Sequence, residues 1–541
     1  MLRRKVLRSL HRPWVLPWGL AGLFAVLYAC VALNRHRRIL TQAYDLGIFE
    51  QAVRAYAQGE APVVLLKAPG YHLLGDHFHP LLVTLAPLYR AFPAAATLLV
   101  AQAVLMALAV VPLARWAHEV GGRRLALVVG CLTGASWGIV EAVADDFHEI
   151  AFAVPLLAFA ATALGRRRPV AAVLWALPLV LVKEDLGLTV TVVGLLVLLR
   201  APRTRRTRAL GLGTAVFGLA ATALTVLVVL PSFNPGGTFD YWGQMGGGEA
   251  GGPPWAAAVR VVWPPLKWLL LGLAAATAGF LGLRSPLALL CVPTLGWRLI
   301  ADNPHYWGVG YHYSAVLMPL LVAALVDALD RTGAFARSTA ARSAAAARAG
   351  VLVGAGVAAG AAAVDGSVAP GGAPPPDGPP APDGGPAPGG ATSPGGAAVP
   401  DPTAVRRARR ALAVAGLVAV VTLPVYPLHE LAAPGAWGTS PRLTATRAML
   451  DRIPDGATVA ASNRLAAQLA GRTTVGLVCR EPSPPADRER GGPQWVAVDL
   501  ADPSVKAPCA IADTRRMLDR YELLGYRRVV DDGDLRLLHR P

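Results

Sequence analysis

The chain has 541 residues, 54% of them hydrophobic and 16% charged, with a mean hydropathy of +0.45. That balance excludes an ordinary soluble globule, in which charged residues are far commoner, and makes an integral membrane protein the working class. The net charge of +17 would suit a nucleic-acid binder, but most of the excess falls in loops where membrane topology accounts for it, so no nucleic-acid partner is expected.

A helix that crosses a bilayer pairs its own backbone groups and needs about 20 mainly apolar residues. In chain order, runs that meet or approach this lie at 14–33, 94–117, 123–143, 150–165, 169–182, 186–200, 208–231, 266–283, 286–301, 314–330 and 411–428. The predicted fold is a polytopic α-helical membrane protein with about eleven transmembrane helices. The runs at 150–165, 169–182, 186–200 and 286–301 are short enough to be re-entrant or merged. Arg3, Arg4, Lys5, Arg8 and Arg12 precede the first run, and Asn34 to Arg38 follow it where a cleaved signal would show small residues, so it reads as an uncleaved first helix.

A cytoplasmic N-terminus puts the Arg-rich loops on the inside: Arg123 and Arg124, Arg166 to Arg168, Arg200 to Arg208, Arg284, and the segment 331–410. The opposite loops carry little Lys or Arg beyond Arg35, Arg37 and Arg38. This topology predicts a multi-pass plasma-membrane protein whose lipid-facing partner is the bilayer and whose C-terminus is extracytoplasmic.

Residues 1–330 then form the transmembrane core. Residues 331–410 turn Ala-, Gly- and Pro-rich without apolar periodicity and read as a disordered cytoplasmic linker. After a last span at 411–428, residues 429–541 return to soluble composition. Short β-like runs at 457–461, 495–499, 527–530 and 535–539, with helical stretches at 442–452 and 513–524, predict a small α/β extracytoplasmic domain. Cys479 and Cys509 fall in it and are expected to pair in an oxidising compartment. Cys30, Cys131 and Cys291 lie in apolar runs and read as packing residues.

With this topology the unusual polar clusters all fall outside: Tyr44 to Gln51, His72, Asp76 to Pro80, Asp145 to Glu149, Lys183 to Asp185, Asp302 to His305 and Tyr311 to Tyr313. Ionisable groups at a membrane boundary are costly to desolvate and point to a site. Asp and His can hold a divalent metal, and a positioned carboxylate can deprotonate a hydroxyl. Each cluster has a plainer reading as well. Asp45 suits a helix cap, Asp76, His77 and His79 an interfacial helix start, Lys183 to Asp185 an ion-paired turn, and His312 and Tyr313 an interfacial belt. Asp145, Asp146 and His148, ending a strongly apolar run, make the more plausible ligand set. No phosphate-binding Walker loop, His-Glu-x-x-His or Gly-x-Ser-x-Gly competes, and Gly246 to Gly252 reads as a flexible loop.

Tyr44-Asp45-Leu46-Gly47 with Gln51, Asp76-His77-Phe78 with Pro80, Pro87-Leu88-Tyr89, Gln102, Asp146-Phe147-His148 and Lys183-Glu184-Asp185 resemble a bacterial predicted-membrane-protein family, domain of unknown function 2079. The resemblance covers roughly residues 14–330 and 411–541, and that family in turn resembles the GT-C glycosyltransferases. It implies a GT-C-like fold and a glycosyltransferase that takes sugar from a polyprenyl-phosphate donor to an acceptor on the outer face, in cell-envelope synthesis. The implied catalytic residues are Asp45, in the first outer loop, with Asp146 and Lys183. Gln51, Asp76, His77, Glu184, Asp185, His312 and Tyr313 are the expected substrate contacts, and Asp145, Asp146 and His148 the expected ligands of a divalent metal ion. A lipid or small-molecule transporter or flippase is the rival reading, with a non-catalytic envelope-assembly scaffold as a third. Transport would favour ionisable residues near the bilayer midplane, whereas these gather at one face.

Overall fold

The computed structural model describes residues 14–202, 204–245, 259–335, 401–479, 492–502 and 510–540. The basic residues up to Arg12, the glycine-rich 246–252 and most of the expected linker, 336–400, lie outside these.

The fold is mostly helical. Its main helices are α1 (Val15–Arg37), α2 (Ile48–Gln58), α3 (Ala95–Leu108), α4 (Val110–Gly134), α5 (Trp137–Ala144), α6 (Ile150–Gly165), α7 (Pro169–Ala176), α8 (Leu186–Arg200), α9 (Arg205–Leu224), α10 (Lys267–Thr277), α11 (Val292–Ile300), α12 (Leu317–Arg331) and α13 (Pro402–Thr422). Among the described residues four stretches are long and apolar enough to cross a membrane: Val15–Arg37, Ala95–Gly134, Arg205–Phe233 and His312–Arg331. The stretch Ala95–Gly134 leaves helical geometry at Gly122 (φ 76°), beside Arg123 and Arg124, where the sequence separates its second and third runs. Shorter apolar helices occupy Ile150–Gly165, Pro169–Leu181, Leu186–Arg200, Lys267–Thr277 and Pro286–Ile300.

The run at 411–428 departs from expectation. Its helix, α13, begins at Pro402 because Asp401 accepts the Thr403 N–H (2.9 Å) and Pro402 sits in the first turn, where its missing N–H costs nothing. It ends at Thr422, just before Pro424 and Pro427. Residues 402–410 are therefore helix and not linker.

Helices α8 and α9 pack through glycine. A Cβ at Gly194 would lie 2.5 Å from Ala215 N and Gly211 O, and one at Gly218 would lie 2.4 Å from Gly187 O. At these glycines the two backbones touch, the close packing that small residues permit where lipid supplies no hydrophobic drive, and Thr191 Oγ1 donates across the crossing to Ala215 O (3.2 Å). At the Arg-rich end, α8 is clamped to α12: Asp327, buried, accepts from Arg200 (2.6 and 3.2 Å) and from Ser285 Oγ (2.6 Å).

Residues 458–539 build a five-stranded sheet, β1 (Thr458–Ala461), β2 (Thr474–Leu477), β3 (Trp495–Asp499), β4 (Arg527–Asp532) and β5 (Leu535–His539), in the order β2-β1-β3-β5-β4. β1 pairs parallel with β2 and β3, while β5 is antiparallel to β3 and β4. Helices α14 (Pro441–Leu450), α15 (Asn463–Leu469) and α16 (Ile511–Leu523) accompany it. Cys479 is disulfide-bonded; its expected partner, Cys509, lies outside the described residues. Cys30, Cys131 and Cys291 are free thiols.

The sheet domain docks on α2. Gln51 Nε2 donates to Val475 O (2.8 Å), Arg54 donates to Ala470 O (3.2 Å) and Thr473 O (2.9 Å), and Gly471 packs on the Glu50 carboxylate. Glu50 is 1% exposed and accepts from Tyr89 OH (3.0 Å). Burial pushes its carboxyl up to about 7, against the smaller opposing effects of Tyr89 and Arg54.

Two outcomes follow. Gly194→Leu should destabilise the chain by about 1–3 kcal/mol by forcing α8 and α9 apart, whereas Gly213→Ala, with nothing within 4 Å of its Cβ position, should leave the thermal midpoint in detergent unchanged. Glu50 binds its proton more tightly folded than unfolded, so its contribution is complete below about pH 4.5 and is lost as pH rises through about 7. Glu50→Gln should flatten the stability profile between those values by up to about 3 kcal/mol, read from thermal midpoints across pH.

Candidate functional site

Three segments distant in sequence converge on one cavity. The first is the wide helical turn Ala43–Gly47 that leads into α2. Its backbone breaks at Tyr44 (φ −91°, ψ 80°), and the cap of α2 is Gly47, not Asp45. The Asp45 carboxylate instead lies 2.7 Å from His148 Nε2.

The second segment is the turn between α5 and α6. Gln102, wholly buried on α3, staples it: its Nε2 donates to Ala142 O (3.2 Å) and Asp146 O (2.5 Å), and its Oε1 accepts the His148 N–H (2.9 Å). Asp146 takes a left-handed backbone (φ 69°), which turns neighbouring side chains to opposite sides.

The third segment is 304–314. Arg298, fully buried on α11, orders it by donating to Tyr306 O (2.5 Å), Gly308 O (3.0 Å), Tyr313 O (3.3 Å) and Ser314 Oγ (3.2 Å). His312 then donates from both its backbone N and Nδ1 to Asp145 Oδ2, each at 3.1 Å. The His148 and His312 rings lie 3.5 Å apart between centroids.

The result is a quartet, Asp45, Asp145, His148 and His312, whose ligand atoms all fall within 4.8 Å of one another. Two carboxylates and two imidazoles suit zinc, manganese or a similar divalent ion.

A second polar group faces the same space. Lys183 Nζ pairs with Glu149 Oε1 (2.7 Å), His77 Nδ1 with Glu184 Oε1 (2.8 Å), and Lys67 Nζ with Asp76 Oδ2 (2.8 Å). Tyr241 OH donates to Asp76 Oδ1 (3.0 Å) while its ring stacks on His77, 4.5 Å away. Trp297 Nε1 donates to Asp185 Oδ2 (3.0 Å). Burial opposes charge throughout, but Lys67 and then His77 hold Asp76 down at about 2, and Glu149 with Glu184 holds Lys183 above its ordinary value. For Asp185 the balance tips the other way: burial and the Glu184 charge push it up to about 6. His79 is 1% exposed, lowered to about 4 by burial, and its Nδ1 has no partner among the described residues.

Asp45, His148 and His312 of the quartet and the second group line one cavity of about 720 Å³. Its opposite wall is apolar: Leu219 and Ala223 of α9, then Val226 and Leu227 of the wide turn Thr225–Val229. Leu219 and Leu227 also stand 56% and 65% exposed on the flank of that long apolar stretch. Among the described lining residues, Asp45, Asp76, Glu149, Glu184 and Asp185 face only two lysines, Lys67 and Lys183. Both lysines are already matched by a carboxylate, so the cavity is cation-seeking.

Of the residues expected from sequence, Asp45, Asp76, His77, His148, Lys183, Glu184, Asp185, His312 and Tyr313 line the cavity. Asp145 stands behind His312. Two expectations are corrected. Asp146 joins neither the quartet nor the cavity lining, because its left-handed backbone directs Oδ2 to the Gln42 N–H (2.8 Å); His312 completes the ligand set in its place. Gln51 does not line the cavity; both ends of its amide are engaged, one by Val475 O and one by the Leu66 N–H (3.1 Å). Arg35 and Arg37 also turn away, toward Glu430 and the carbonyls of Ala436 and Trp437. Sequence reasoning gave no role to Lys67 or Tyr241, which sit outside any acidic or histidine cluster and carry no local signal. Glu149 was visible only as the last member of Asp145 to Glu149.

Fold and site define an α-helical membrane protein with a buried carboxylate–imidazole centre in a half-apolar cavity. The chain belongs to the DUF2079 family of predicted membrane proteins, whose model matches residues 35–355. No curated protein matches it. A solved structure similar to it is the crystal structure of ArnT from Cupriavidus metallidurans bound to undecaprenyl phosphate, 15% identical with a TM-score of 0.46, covering 95% of this chain and 97% of that one.

Cobalt titrated into the purified chain should bind with a visible absorption band. Asp145→Asn or His312→Ala should weaken that binding at least about tenfold, since each removes a ligand or its direct support, while Asp146→Asn should leave it unchanged.

Proposed function

We propose that this chain is a membrane glycosyltransferase that moves a sugar from a polyprenyl-phosphate donor to an acceptor hydroxyl at the outer face of the membrane. In this reading the polypeptide makes eleven spans in a GT-C-like arrangement, with residues 429–541 as an extracytoplasmic domain and the Arg-rich helix ends in the cytoplasm. The observation that carries it is the composition of the cavity: one apolar wall on a long membrane helix, facing a polar wall where Asp45, His148 and His312 stand at ligand distance, with Asp145 behind His312. A polyprenyl phosphate has that division, an apolar tail joined to a charged head.

The lipid enters from the side of α9, its first isoprene units against Leu219 and Leu227, its phosphate toward Lys183, and its sugar between that phosphate and Asp45. Asp45 takes the proton of the acceptor hydroxyl, whose oxygen attacks the anomeric carbon from the face opposite the phosphate. The carbon–oxygen bond to the phosphate breaks, and the phosphate leaves on the lipid carrier with the bonding electron pair. Asp76, His77, Glu184, Asp185 and Tyr313 surround the sugar and orient it, and Lys183 supplies a donor to the phosphate while its own charge is balanced by Glu149.

Asp45, Asp145, His148 and His312 fit a divalent ion, which when bound would offset the phosphate charge that this carboxylate-rich cavity otherwise repels.

Membranes carrying the wild-type chain should transfer radiolabelled sugar from a polyprenyl-phosphate carrier, and Asp45→Ala should slow that transfer by about a hundredfold or more, the usual contribution of a general base. Equal transfer in the two would remove Asp45 from the chemistry.

A further inference from the structure

The loop that carries Asp45 is held by the sheet domain as well as by the membrane helices around it. Asn463, 2% exposed, opens α15 at the carboxyl end of β1. Its Oδ1 accepts the Tyr44 N–H (3.1 Å), and its Nδ2 donates to Gln42 Oε1 (3.0 Å). One turn further along α15, Gln468 Nε2 reaches Thr41 Oγ1 (3.1 Å) and His36 O (3.3 Å). The same helix packs under Gly47: a Cβ there would come within 3.8 Å of Ala467 Cα. The strip is tied to the membrane core as well, through the Gln42 N–H to Asp146 Oδ2 and through Asp45 to His148.

The need for an outside acceptor follows from the backbone. At ψ 80° Tyr44 is out of helical register, so its N–H, next to the reactive carboxylate, cannot be satisfied by the turn itself. A buried N–H left unpaired costs about 1–3 kcal/mol, and the loop would relieve that by moving. In α/β domains the carboxyl end of a central parallel strand, flanked as β1 is by β2 and β3, is where ligands commonly sit. Here that position grips a loop of the membrane part.

We infer that the C-terminal domain is a positioning element of the active centre, and that Asn463 is the residue that sets where the Asp45 carboxylate stands relative to His148. This rests on the assignment of Asp45 to the proposed site, but its test does not. The full chain, with Asn463→Ala, Asn463→Asp and Gln42→Ala, is followed by amide hydrogen exchange and by cobalt binding. Asp keeps the acceptor for Tyr44 and lets the Gln42 amide turn to donate. Gln42→Ala loosens the same joint without touching the sheet domain.

Asn463→Ala should raise exchange across 41–48 about tenfold or more, leave β3 and β5 protected, weaken cobalt binding about 10- to 100-fold and alter its absorption band, as loss of an outer-shell partner does. Asn463→Asp should restore most of each, and Gln42→Ala should loosen 41–48 more mildly. Unchanged exchange at 41–48 in Asn463→Ala, or no recovery in Asn463→Asp, overturns the inference. Should Asn463→Ala also unprotect β3 and β5, Gln42→Ala decides: faster exchange at 41–48 supports the inference and unchanged exchange overturns it. A wild-type chain that binds no cobalt, with Asn463→Ala still loosening 41–48, sinks the metal centre of the proposed function and leaves the positioning role standing.

Discussion

The contact of Asp45 with His148, 2.7 Å long, joins two segments far apart in sequence, and much of the polar architecture around the cavity serves to make it. Neither residue is held by its own helix. His148 is fixed through its backbone by Gln102, and its ring lies against His312, which Asp145 in turn holds. Asp45 sits on a backbone break whose amide is satisfied from the C-terminal domain. Each support is a buried polar bond made by a neutral amide or a charge-assisted pair. Such bonds contribute modestly when formed and cost more when half of one is lost.

The cavity combines two environments that are hard to place side by side. Its floor concentrates carboxylates, which burial alone would neutralise; neighbouring charges hold Asp76 ionised, whereas Asp185 beside Glu184 is pushed toward its protonated form. Its far wall is plain hydrocarbon on a helix most of whose surface faces away from the protein. The seam that attaches this wall is rich in glycine, so the backbone of α9 comes close to that of α8. A site that must admit an amphiphile from a bilayer needs this pairing of a desolvated charge cluster with an open apolar flank.

Much of this was legible in the sequence because membrane burial imposes a strong compositional signal: the apolar runs and the polar clusters between them stand out. Nine of the expected site residues line the cavity for that reason. What stayed illegible depended on backbone direction. Asp145 and Asp146 are adjacent and chemically equivalent, and only the left-handed turn at Asp146 decides that one supports the cluster and the other anchors Gln42. Gln51 looked like a site residue by its neighbours, yet its amide bridges to β2, a four-residue strand containing glycine that has too little pattern to be read in advance. Lys67 was equally hidden, since its partner Asp76 is brought to it by the fold alone.

The staple from Asn463 to the Asp45 loop has a corollary. Residues 336–400 separate the two halves of the chain in sequence, with Asp45, His148 and His312 before them and Asn463 after. The C-terminal domain therefore looks like a detachable module that could be swapped for another of similar size. It is not one, because a foreign domain would have to present a carbonyl-like acceptor and an amide donor at the end of its own strand to replace Asn463. On that inference the two halves of the chain act as one unit at the Asp45 loop.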